Sequence, residues 1–464
     1  MAVKASIEFP ASAGYLGHTM ALPPSPSDPP TPLFEGLSGG PSARTPEEVA
    51  RHQRRRLEGA MLEAVGRYGY NGMTLSELVK LAGVSKTTFY EHFEGKADLF
   101  LATFDEIERQ VGRRIAQAFA AQGDFDTSVR EALLALMQVV AEEPAAAWLT
   151  AVESLALGAD GTAHRERASE EFEALFRQGF ADSPGERPVP EITTRAIVGG
   201  VRGVVYRHLR ARSQDELPEH VDELVDWALC YQRPRSDAVE RAMGAAEEEP
   251  APAAEPGESA LPGWEEPPDS KRSRRSLSQR ERIVRATARV VIERGWPALS
   301  IPSISGAAGV SNQTFYENFS SKFDALMAAF EALFGEAREA TLAAYDPDRG
   351  AAEAIGASIR AMLEHIAGHE VFARLAFFEL PTAGAAALDH ADELLDRLIA
   401  SLGSEPLPAE LGDQLPSGTV LTAVAGGIWA VIQREIAHGH QLELSRRAPE
   451  ITEIALAPFC SEPR

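Results

Sequence analysis

Apolar residues recur at helical spacing from Thr45 onward, and this spacing predicts the first helix of a folded domain. The segment Thr45–Glu48 supplies a start signal, because threonine caps helices, proline fits the first turn and acidic groups favour the positive helix end. Gly69 and the Asn71-Gly72 pair predict the end of this helix in a turn. The positions that form its apolar stripe are Leu57, Met61, Ala64, Val65 and Tyr68.

Two short helices are predicted next. Thr74 caps the first of them, and Glu77 stands three residues later as in a capping box. Gly83 ends that helix, and Ser85 caps another that runs to Phe93. A helix, a tight turn with glycine and a second helix form the helix-turn-helix layout.

The last of these helices has one apolar and one polar side. Phe89 and Phe93 are four residues apart, which predicts that both face the core. Lysine, threonine and tyrosine on the exposed side are able to reach base edges, thymine methyl groups and phosphates. The residues predicted to face outward are Lys86, Thr87, Tyr90 and His92.

Helical periodicity continues to about Cys230, and no stretch alternates with period two for long enough to predict a sheet. The fold class expected from this pattern is all-α.

The second half of the chain repeats the first at a constant offset of 226 residues. The sequence from Val84 to Leu99 returns from Val310 to Ala325, and Glu153 corresponds to Glu379. With one extra residue, Gly199-Gly200 corresponds to Gly426-Gly427. A period this long exceeds that of solenoid repeats, so we interpret the chain as the duplication of a complete protein.

Composition places the borders between the predicted domains. Residues 1–44 are rich in Pro, Ser and Gly, and residues 234–270 combine Pro with Glu, so both are expected to lack a fold; whether Met1 or Met20 is the true start stays open. The remaining predicted domains are two helix-turn-helix domains, 45–95 and 271–321, each followed by a larger helical domain, 96–233 and 322–464.

Charge is distributed unevenly along the 464 residues. The net charge of −24 argues against unspecific binding of polyanions by the whole surface. Basic residues nevertheless gather at the start of each half. In the second half these residues are Lys271, Arg272, Arg274, Arg275, Arg280, Arg282, Arg285, Arg289 and Arg294.

Several functional classes find no support in the sequence. The two cysteines, Cys230 and Cys460, have no ligand-like neighbours, which excludes a disulfide framework and a cysteine zinc site and fits a reducing cytoplasm. There is no nucleophile elbow or phosphate-binding glycine loop, so an enzyme is not expected and no cofactor is predicted. The uncharged stretch 414–433 is interpreted as a buried bundle helix and not as a membrane span.

Two further patterns leave alternatives open. The glycine pairs at 199–200 and 426–427 would let another helix approach closely, either inside one half or between the two halves. His365 and His369 are four residues apart and could hold a metal ion, but no carboxylate follows them in a zincin-like pattern. Ordinary surface or pocket histidines are therefore the preferred interpretation.

The pattern Ala-Gly-Val-Ser-x-x-Thr-Phe-Tyr-x-x-Phe-x-x-Lys, at 82–96 and again at 308–322, resembles TetR-family transcriptional regulators. This resemblance covers both halves. It implies an N-terminal three-helix DNA-binding domain, followed by a helical domain that binds a small-molecule inducer and dimerises through its last two long helices.

The resemblance also implies roles for single residues in each copy. Thr74, Tyr90 and Lys96 would bind phosphates, with Lys86 and Thr87 nearest the bases and His92 at the DNA backbone, while Ser85 caps the recognition helix. The residues at the same positions of the second copy are Ser300, Tyr316, Lys322, Asn312, Gln313, Asn318 and Ser311. Lysine suits guanine O6/N7, whereas asparagine and glutamine suit adenine N6/N7.

The second copy departs from the first at Pro302, which the first turn of its short helix tolerates, and at Gly306, which costs about 1 kcal/mol relative to Ala. The expected function is a cytoplasmic transcriptional regulator, nucleoid-associated when bound, in which the halves pair within one chain on an asymmetric or imperfectly palindromic operator. Repression released by an inducer is the expected mode, and further dimerisation between chains stays open. The alternative is one functional head beside a degenerate half that serves dimerisation.

Overall fold

Helices make up the regular secondary structure of this protein wherever the structure describes it, and no strand occurs among those residues. The structure is a computed structural model that describes residues 45–120, 123–183, 185, 187–248, 264, 269–402 and 416–459. The expected all-α class is confirmed.

The helices of the first half follow one another with short connections. Short 3₁₀ segments lie at Glu153–Leu157 and Gln214–His220. The α-helices are α1 (Pro46–Gly72), α2 (Leu75–Ala82), α3 (Lys86–His92), α4 (Lys96–Phe119), α5 (Phe125–Glu142), α6 (Pro144–Ala151), α7 (Gly158–Asp182), α8 (Glu191–Ala211), α9 (Val221–Cys230) and α10 (Asp237–Glu247).

The second half has helices in the corresponding order. A π-helical turn lies at Leu375–Glu379, and 3₁₀ segments lie at Pro347–Arg349, Gln441–Arg447 and Ala457–Phe459. The α-helices are α11 (Lys271–Ser276), α12 (Gln279–Arg294), α13 (Ile301–Ala308), α14 (Asn312–Asn318), α15 (Lys322–Ala343), α16 (Ala351–Gly368), α17 (Glu370–Arg374), α18 (Leu380–Thr382), α19 (Ala385–Leu402), α20 (Gly418–Ala437) and α21 (Ala448–Leu456).

The chain divides into two compact units whose borders differ from those of the sequence halves. The first unit contains the described residues up to Glu153, with Val204–Val225 and Pro416–Thr422. In it α1 packs on α2, α4 and α6, and α5 packs on α4 and on the 3₁₀ segment Gln214–His220. Its buried core includes Leu57, Met61, Phe89, Phe100 and Phe104.

The second unit contains the described residues of Ser154–Gly203, Asp226–Leu415 and Ala423–Arg464. Its main core joins α12, α13, α15 and α16 and includes Ile283, Phe315 and Leu333. Ile192 and Ala196 of α8 belong to the same core. Residues from both sequence halves therefore share one hydrophobic interior in this unit.

Glycines allow α8 and α20 to approach closely within the second unit. A Cβ atom on Gly199 would lie 2.3 Å from Ala430 Cβ, and one on Gly427 would lie 2.6 Å from the Ala196 carbonyl oxygen. Two buried or half-buried ion pairs accompany this contact: Arg434 Nη1 lies 3.0 Å from Glu173, and Arg195 Nη1 lies 3.4 Å from Glu435. The glycine pairs thus serve packing between a helix of each half.

Part of the predicted linker is folded, so that prediction was wrong for Asp237–Glu247. Ser236 caps α10 by accepting a hydrogen bond from the Val239 backbone N–H, and α10 packs against α16 and α21. A Cβ atom on Gly356 of α16 would lie 2.0 Å from the Ala242 carbonyl oxygen, which shows how closely the helices meet. The buried positions of α10 are Ala238, Val239, Ala242, Ala245 and Ala246.

Trp264, which also lies in the predicted linker, contacts helices of the folded chain. Its Nε1 donates a hydrogen bond of 2.7 Å to Glu336, and the Arg285 guanidinium lies 4.9 Å from its ring centroid. The predictions for residues 1–44, 249–263 and 265–268 fall outside the described residues.

By length and composition alone, α20 is long and apolar enough to cross a membrane. In its apolar stretch of 18 residues, 44% is buried inside the protein. The two segments Phe125–Glu142 and Pro144–Leu157 meet at a bend. Taken together as one span, they are also long and apolar enough to cross a membrane.

Candidate nucleic-acid interface

Capping side chains fix the three helices that form the first candidate interface. Thr45 and Thr74 each form a capping box, with Glu48 and Glu77 respectively, which satisfies N–H groups that the first helical turn leaves open. Between α2 and α3, Gly83 adopts φ 60° and ψ 37°, a left-handed conformation that glycine tolerates best. The Arg56 side chain donates to the Gly83 carbonyl oxygen at 3.2 Å, which holds this turn against α1.

The second copy forms the same three helices with different caps. Ser278 and Glu281 form a capping box at α12, and Ser300 caps α13 with Ser303 in the place of the acidic partner. Pro302 lies in the first turn of α13, where its missing N–H would be unpaired in any case. Gly309 takes φ 64°, as Gly83 does in the first copy. Pro302 and Gly306 therefore do not prevent the second helix-turn-helix from forming.

Two phenylalanines anchor each recognition helix, as the sequence predicts. Phe89 is fully buried and Phe93 is 3% exposed, while Phe315 and Phe319 occupy the same places in the second copy. An arginine of the preceding long helix covers the outer ring in each copy. Arg54 lies 4.7 Å from the Phe93 centroid and Arg280 lies 4.4 Å from that of Phe319. This cation–π contact was not predicted from the sequence.

The polar sides of α3 and α14 are open to solvent. Tyr90 is 58% exposed and Tyr316 is 60% exposed, which is high for side chains of this size. The N-caps Ser85 and Ser311 accept hydrogen bonds from the N–H groups of Thr88 and Thr314. The exposed residues beside these caps are Lys86 and Thr87 in the first copy and Asn312 and Gln313 in the second.

The predicted contact residues His92, Gln313 and Asn318 also have polar partners inside the protein. His92 Nε2 lies 3.0 Å from Gln53 Oε1 of α1. Gln313 donates to Glu317 at 3.1 Å, one turn along α14, and Asn318 donates to the Thr314 carbonyl at 2.8 Å. Gln313 and its partner are exposed, so this amide is able to exchange its bond for one to a base edge.

Lys96 and Lys322 are half-buried, and their ammonium groups bind carbonyl groups of the protein. Lys96 Nζ donates to the carbonyl oxygens of Tyr70 and Met73, at 2.9 and 3.2 Å, and lies 4.4 Å from the Tyr70 ring centroid. Lys322 makes the same contacts with Trp296 and Leu299. Burial lowers the pKa of both ammonium groups. These lysines close the turn between the first two helices of each copy.

A glutamate from outside the three helices holds the same turn in each copy. Glu153 Oε2 accepts a hydrogen bond of 2.8 Å from the Tyr70 N–H, and its other oxygen accepts one from Trp148 Nε1 at 3.2 Å. Glu379 accepts a hydrogen bond of 3.1 Å from the Trp296 N–H. The sequence offered a signal for this pair, because the two glutamates correspond at the repeat offset, but it gave no reason to place them at the turn.

Basic side chains surround the helix-turn-helix segments. Arg54 is paired with Glu58 of its own helix at 3.1 Å and is about half exposed. In the second copy, α11 and the start of α12 add exposed basic residues, which are Lys271, Arg274, Arg275 and Arg280. These residues give this part of the second half a local excess of positive charge, although the chain as a whole is acidic.

Comparisons with known proteins match the same segments. The model of a family described as bacterial regulatory proteins, tetR family, matches residues 60–103 and, a second time, residues 283–329. The HTH-type transcriptional regulator BetI of Brucella anthropi is 34% identical over 104 residues, which are 21% of this chain and 52% of that protein. The chain spans about half the length of the curated relative it matches.

Solved structures of similar proteins cover less than half of this chain. The fatty acid degradation regulator FadR from Bacillus halodurans is 17% identical with a TM-score of 0.35, and it aligns over 38% of this chain and 96% of its own. FadR from Bacillus subtilis, in complex with stearoyl-CoA, is 15% identical with a TM-score of 0.35 over 37% and 96%. A TetR family transcription regulator from Marinobacter aquaeolei VT8 is 22% identical with a TM-score of 0.33 over 39% and 96%.

Proposed function

We propose that this chain is a DNA-binding transcriptional regulator of the tetR family of bacterial regulatory proteins, because the model of that family matches two of its segments. The observation that carries the proposal is the pair of capped recognition helices, α3 and α14, whose polar sides are exposed beside arginine clusters. Residues at the start of such a helix contact base edges in the major groove.

The proposed form is a single-chain pseudo-dimer that acts as a repressor. It is supported by the contact of α8 with α20 at their glycines, since the family resemblance assigns dimerisation to the last long helices. Two paired recognition helices read half-sites about 34–36 Å apart, which is one turn of DNA. Lys86 and Thr87 differ chemically from Asn312 and Gln313, so the half-sites should differ in sequence. A small-molecule inducer that releases the operator is part of the same proposal.

The proposed DNA contacts differ in kind. Lys86, Thr87, Asn312 and Gln313 read bases, while Tyr90 and Tyr316 bind phosphates. Thr74 and Ser300, at the N-termini of α2 and α13, also face phosphates, because a helix N-terminus favours anions. The side chains of His92 and Asn318 lie beside the DNA backbone. Ser85 and Ser311 act through the caps that set the recognition helices.

The test begins with selection of bound sequences from a random DNA pool, followed by titration of variants in gel shifts. We expect one asymmetric motif. Lys86→Ala should lose about 1–3 kcal/mol and relax base preference in one half-site only, and Asn312→Ala should do the same in the other. Tyr90→Phe should weaken binding to all sequences alike. Arg446→Ala, on the exposed 3₁₀ segment Gln441–Arg447, is the control for loss of one positive charge.

Two results would contradict the proposal. If Lys86→Ala and Asn312→Ala bound the selected sequence as tightly as the unmodified chain, α3 and α14 would not be recognition helices. If only Lys86→Ala changed the preference, the second half would serve dimerisation instead of DNA recognition. The equal burial of Phe89 and Phe315 supports two functional heads, because both recognition helices are anchored in the same way.

A further inference from the structure

Two histidines and a glutamate come together in the first unit, where α8 ends and the chain turns toward α9. His208 lies in the last turn of α8, and Glu216 and His220 lie on the 3₁₀ segment Gln214–His220. One potential ligand atom of each residue lies within 4.8 Å of the other two. The imidazole centroids are 5.1 Å apart. The 3₁₀ segment Gln214–His220 packs against α5, which holds its backbone in place.

Each imidazole is oriented by a hydrogen bond at its Nδ1 atom. His208 Nδ1 lies 3.0 Å from the Val204 carbonyl oxygen, and His220 Nδ1 lies 2.5 Å from Glu223 Oε1. Both partners are acceptors, and the Thr419 hydroxyl oxygen also lies 3.2 Å from His220 Nδ1. A proton on Nδ1 satisfies these contacts and leaves the Nε2 lone pair for a ligand bond. A carbonyl or carboxylate behind a histidine is the arrangement that orients metal-bound histidines in proteins.

In the second half, different contacts hold the corresponding turn, which follows α20. By the repeat offset of 227 residues that relates α8 to α20, His208 corresponds to Glu435, Glu216 to Glu443 and His220 to Arg447. Arg447 Nε lies 3.7 Å from Glu435 Oε2, so opposite charges join these two segments. In the first half, His208 and His220 stand in the place of this pair of opposite charges. A cation bound between them would join the same two segments.

We propose that His208, Glu216 and His220 bind a divalent transition-metal ion of the zinc type. Two imidazole nitrogens and one carboxylate oxygen suit this ion, and three protein ligands leave a fourth position for water or another ligand. Ligand atoms around a tetrahedral zinc ion lie about 3.3 Å apart, so the side chains need to close by roughly 1 Å or more. Glu216 is exposed, which leaves its side chain room to do so.

The bound ion would tie the end of α8 to the start of α9 in the first half, where the second half uses its ion pair. This inference does not depend on the proposed DNA binding.

The test uses the purified, untagged full chain after treatment with a chelator and dialysis. Titration with Zn²⁺ in a calorimeter should show one tight site per chain, and Co²⁺ should give the visible absorption of a tetrahedral complex with nitrogen and oxygen ligands. His208→Asn and His220→Asn should abolish that site. Glu216→Gln should weaken it at least tenfold, and Glu223→Gln, which changes the support of His220, should weaken it by about 10–100-fold.

The matched control is the double variant His438→Asn with His440→Asn. These histidines lie in the corresponding turn of the second half, with rings 6.5 Å apart and side chains about half exposed. We expect their loss to change Zn²⁺ affinity less than twofold. The proposal is overturned if the unmodified chain binds no tighter than Glu216→Gln, or if the tight site disappears with the control variant. Because Glu216 is exposed, Glu216→Gln should fold normally. Its Zn²⁺ affinity therefore tests the proposal even if a histidine variant fails to fold.

Discussion

A buried carboxylate at Glu143, between α5 and α6, makes the stability of the first unit depend on pH. The residue is 3% exposed, and its Oε2 atom has no hydrogen-bond partner within the described part of the chain. Burial, with a smaller contribution from Glu142, raises the pKa of Glu143 to about 7, against the opposing effect of Arg114. Between its ordinary pKa of 4.5 and about 7, the folded chain therefore binds more protons than the unfolded chain. The free energy of unfolding must fall as pH rises through that window.

Glu143→Gln should raise stability at pH 8, because glutamine has the shape of the protonated acid and carries no charge. We expect a gain of about 1–3 kcal/mol at pH 8, from the size of the pKa shift, and a clearly smaller gain at pH 5. Thermal unfolding followed by circular dichroism at both pH values measures it. Glu131→Gln, at an exposed position of the same helix, should show no such pH dependence. An equal gain at both pH values would mean that packing, and not titration, is responsible.

At the scale of elements, the turn after the first helix of each helix-turn-helix domain is held from two sides. A lysine ammonium binds its carbonyl groups, and a glutamate accepts one of its N–H groups. The glutamate belongs to the following helical domain in each sequence half. Movement of that domain would therefore act on this turn through the glutamate and the lysine.

Glu379→Ala should loosen the second helix-turn-helix domain alone. It removes the acceptor of the half-buried Trp296 N–H, and an unsatisfied buried donor costs about 1–3 kcal/mol. Hydrogen exchange measured by mass spectrometry should be faster in peptides that cover residues 295–301. Glu379→Gln keeps an acceptor oxygen and should have a smaller effect.

Glu153→Ala provides the reciprocal control, since it should accelerate exchange around residues 69–74 only. Equal acceleration at both turns by either variant would show general destabilisation, and the local coupling described above would then be wrong.

At the scale of the whole molecule, helices from both sequence halves share the interior of the second unit. Ion pairs as well as apolar contacts join them: Glu453 of α21 binds Arg187 and, at 2.7 Å, Arg235. The Tyr231 hydroxyl donates to the Ile454 carbonyl oxygen. The second unit therefore depends on segments that precede the repeat border.

Gly427→Leu should separate α8 from α20. Its Cβ atom would lie 2.6 Å from the Ala196 carbonyl oxygen, and backbone atoms of a packed helix cannot move aside easily. Overpacking of this kind costs about 1–3 kcal/mol or more. A lower midpoint of thermal unfolding would report it, while light scattering tests whether the unmodified chain is a 50.0 kDa monomer, as pairing within one chain predicts.

Gly418→Ala is the control on the same helix, because no atom of the other described residues, apart from its neighbours in the helix backbone, lies within 4 Å of the added methyl group. It should leave the unfolding midpoint nearly unchanged. If Gly427→Leu were equally harmless, the close approach of the two helices would not contribute to stability.

Local sequence determined the elements of this protein and the duplication of its helix-turn-helix domain. Caps such as Thr74 and Ser85, the left-handed glycine at position 83 and the spacing of Phe89 and Phe93 act over three or four residues. Such signals are complete within the segment that carries them, so they can be identified before the rest of the chain is placed. The residues that face solvent on α3 and α14 follow from the same short-range geometry.

Contacts between distant segments were decided only by the tertiary structure. The contacts of Lys96 with the Tyr70 and Met73 carbonyl oxygens join positions that are 26 and 23 residues apart, and no local pattern predicts them. The apolar stripe of α10 is short and lies beside a run of glutamates, and its burial depends on a groove made by α16 and α21. The roles of Glu379 and Gly427 likewise depend on partners far away in sequence. The sequence alone does not distinguish a polar side chain that faces solvent from one that binds a distant part of the chain. The packing of the whole chain decides between the two.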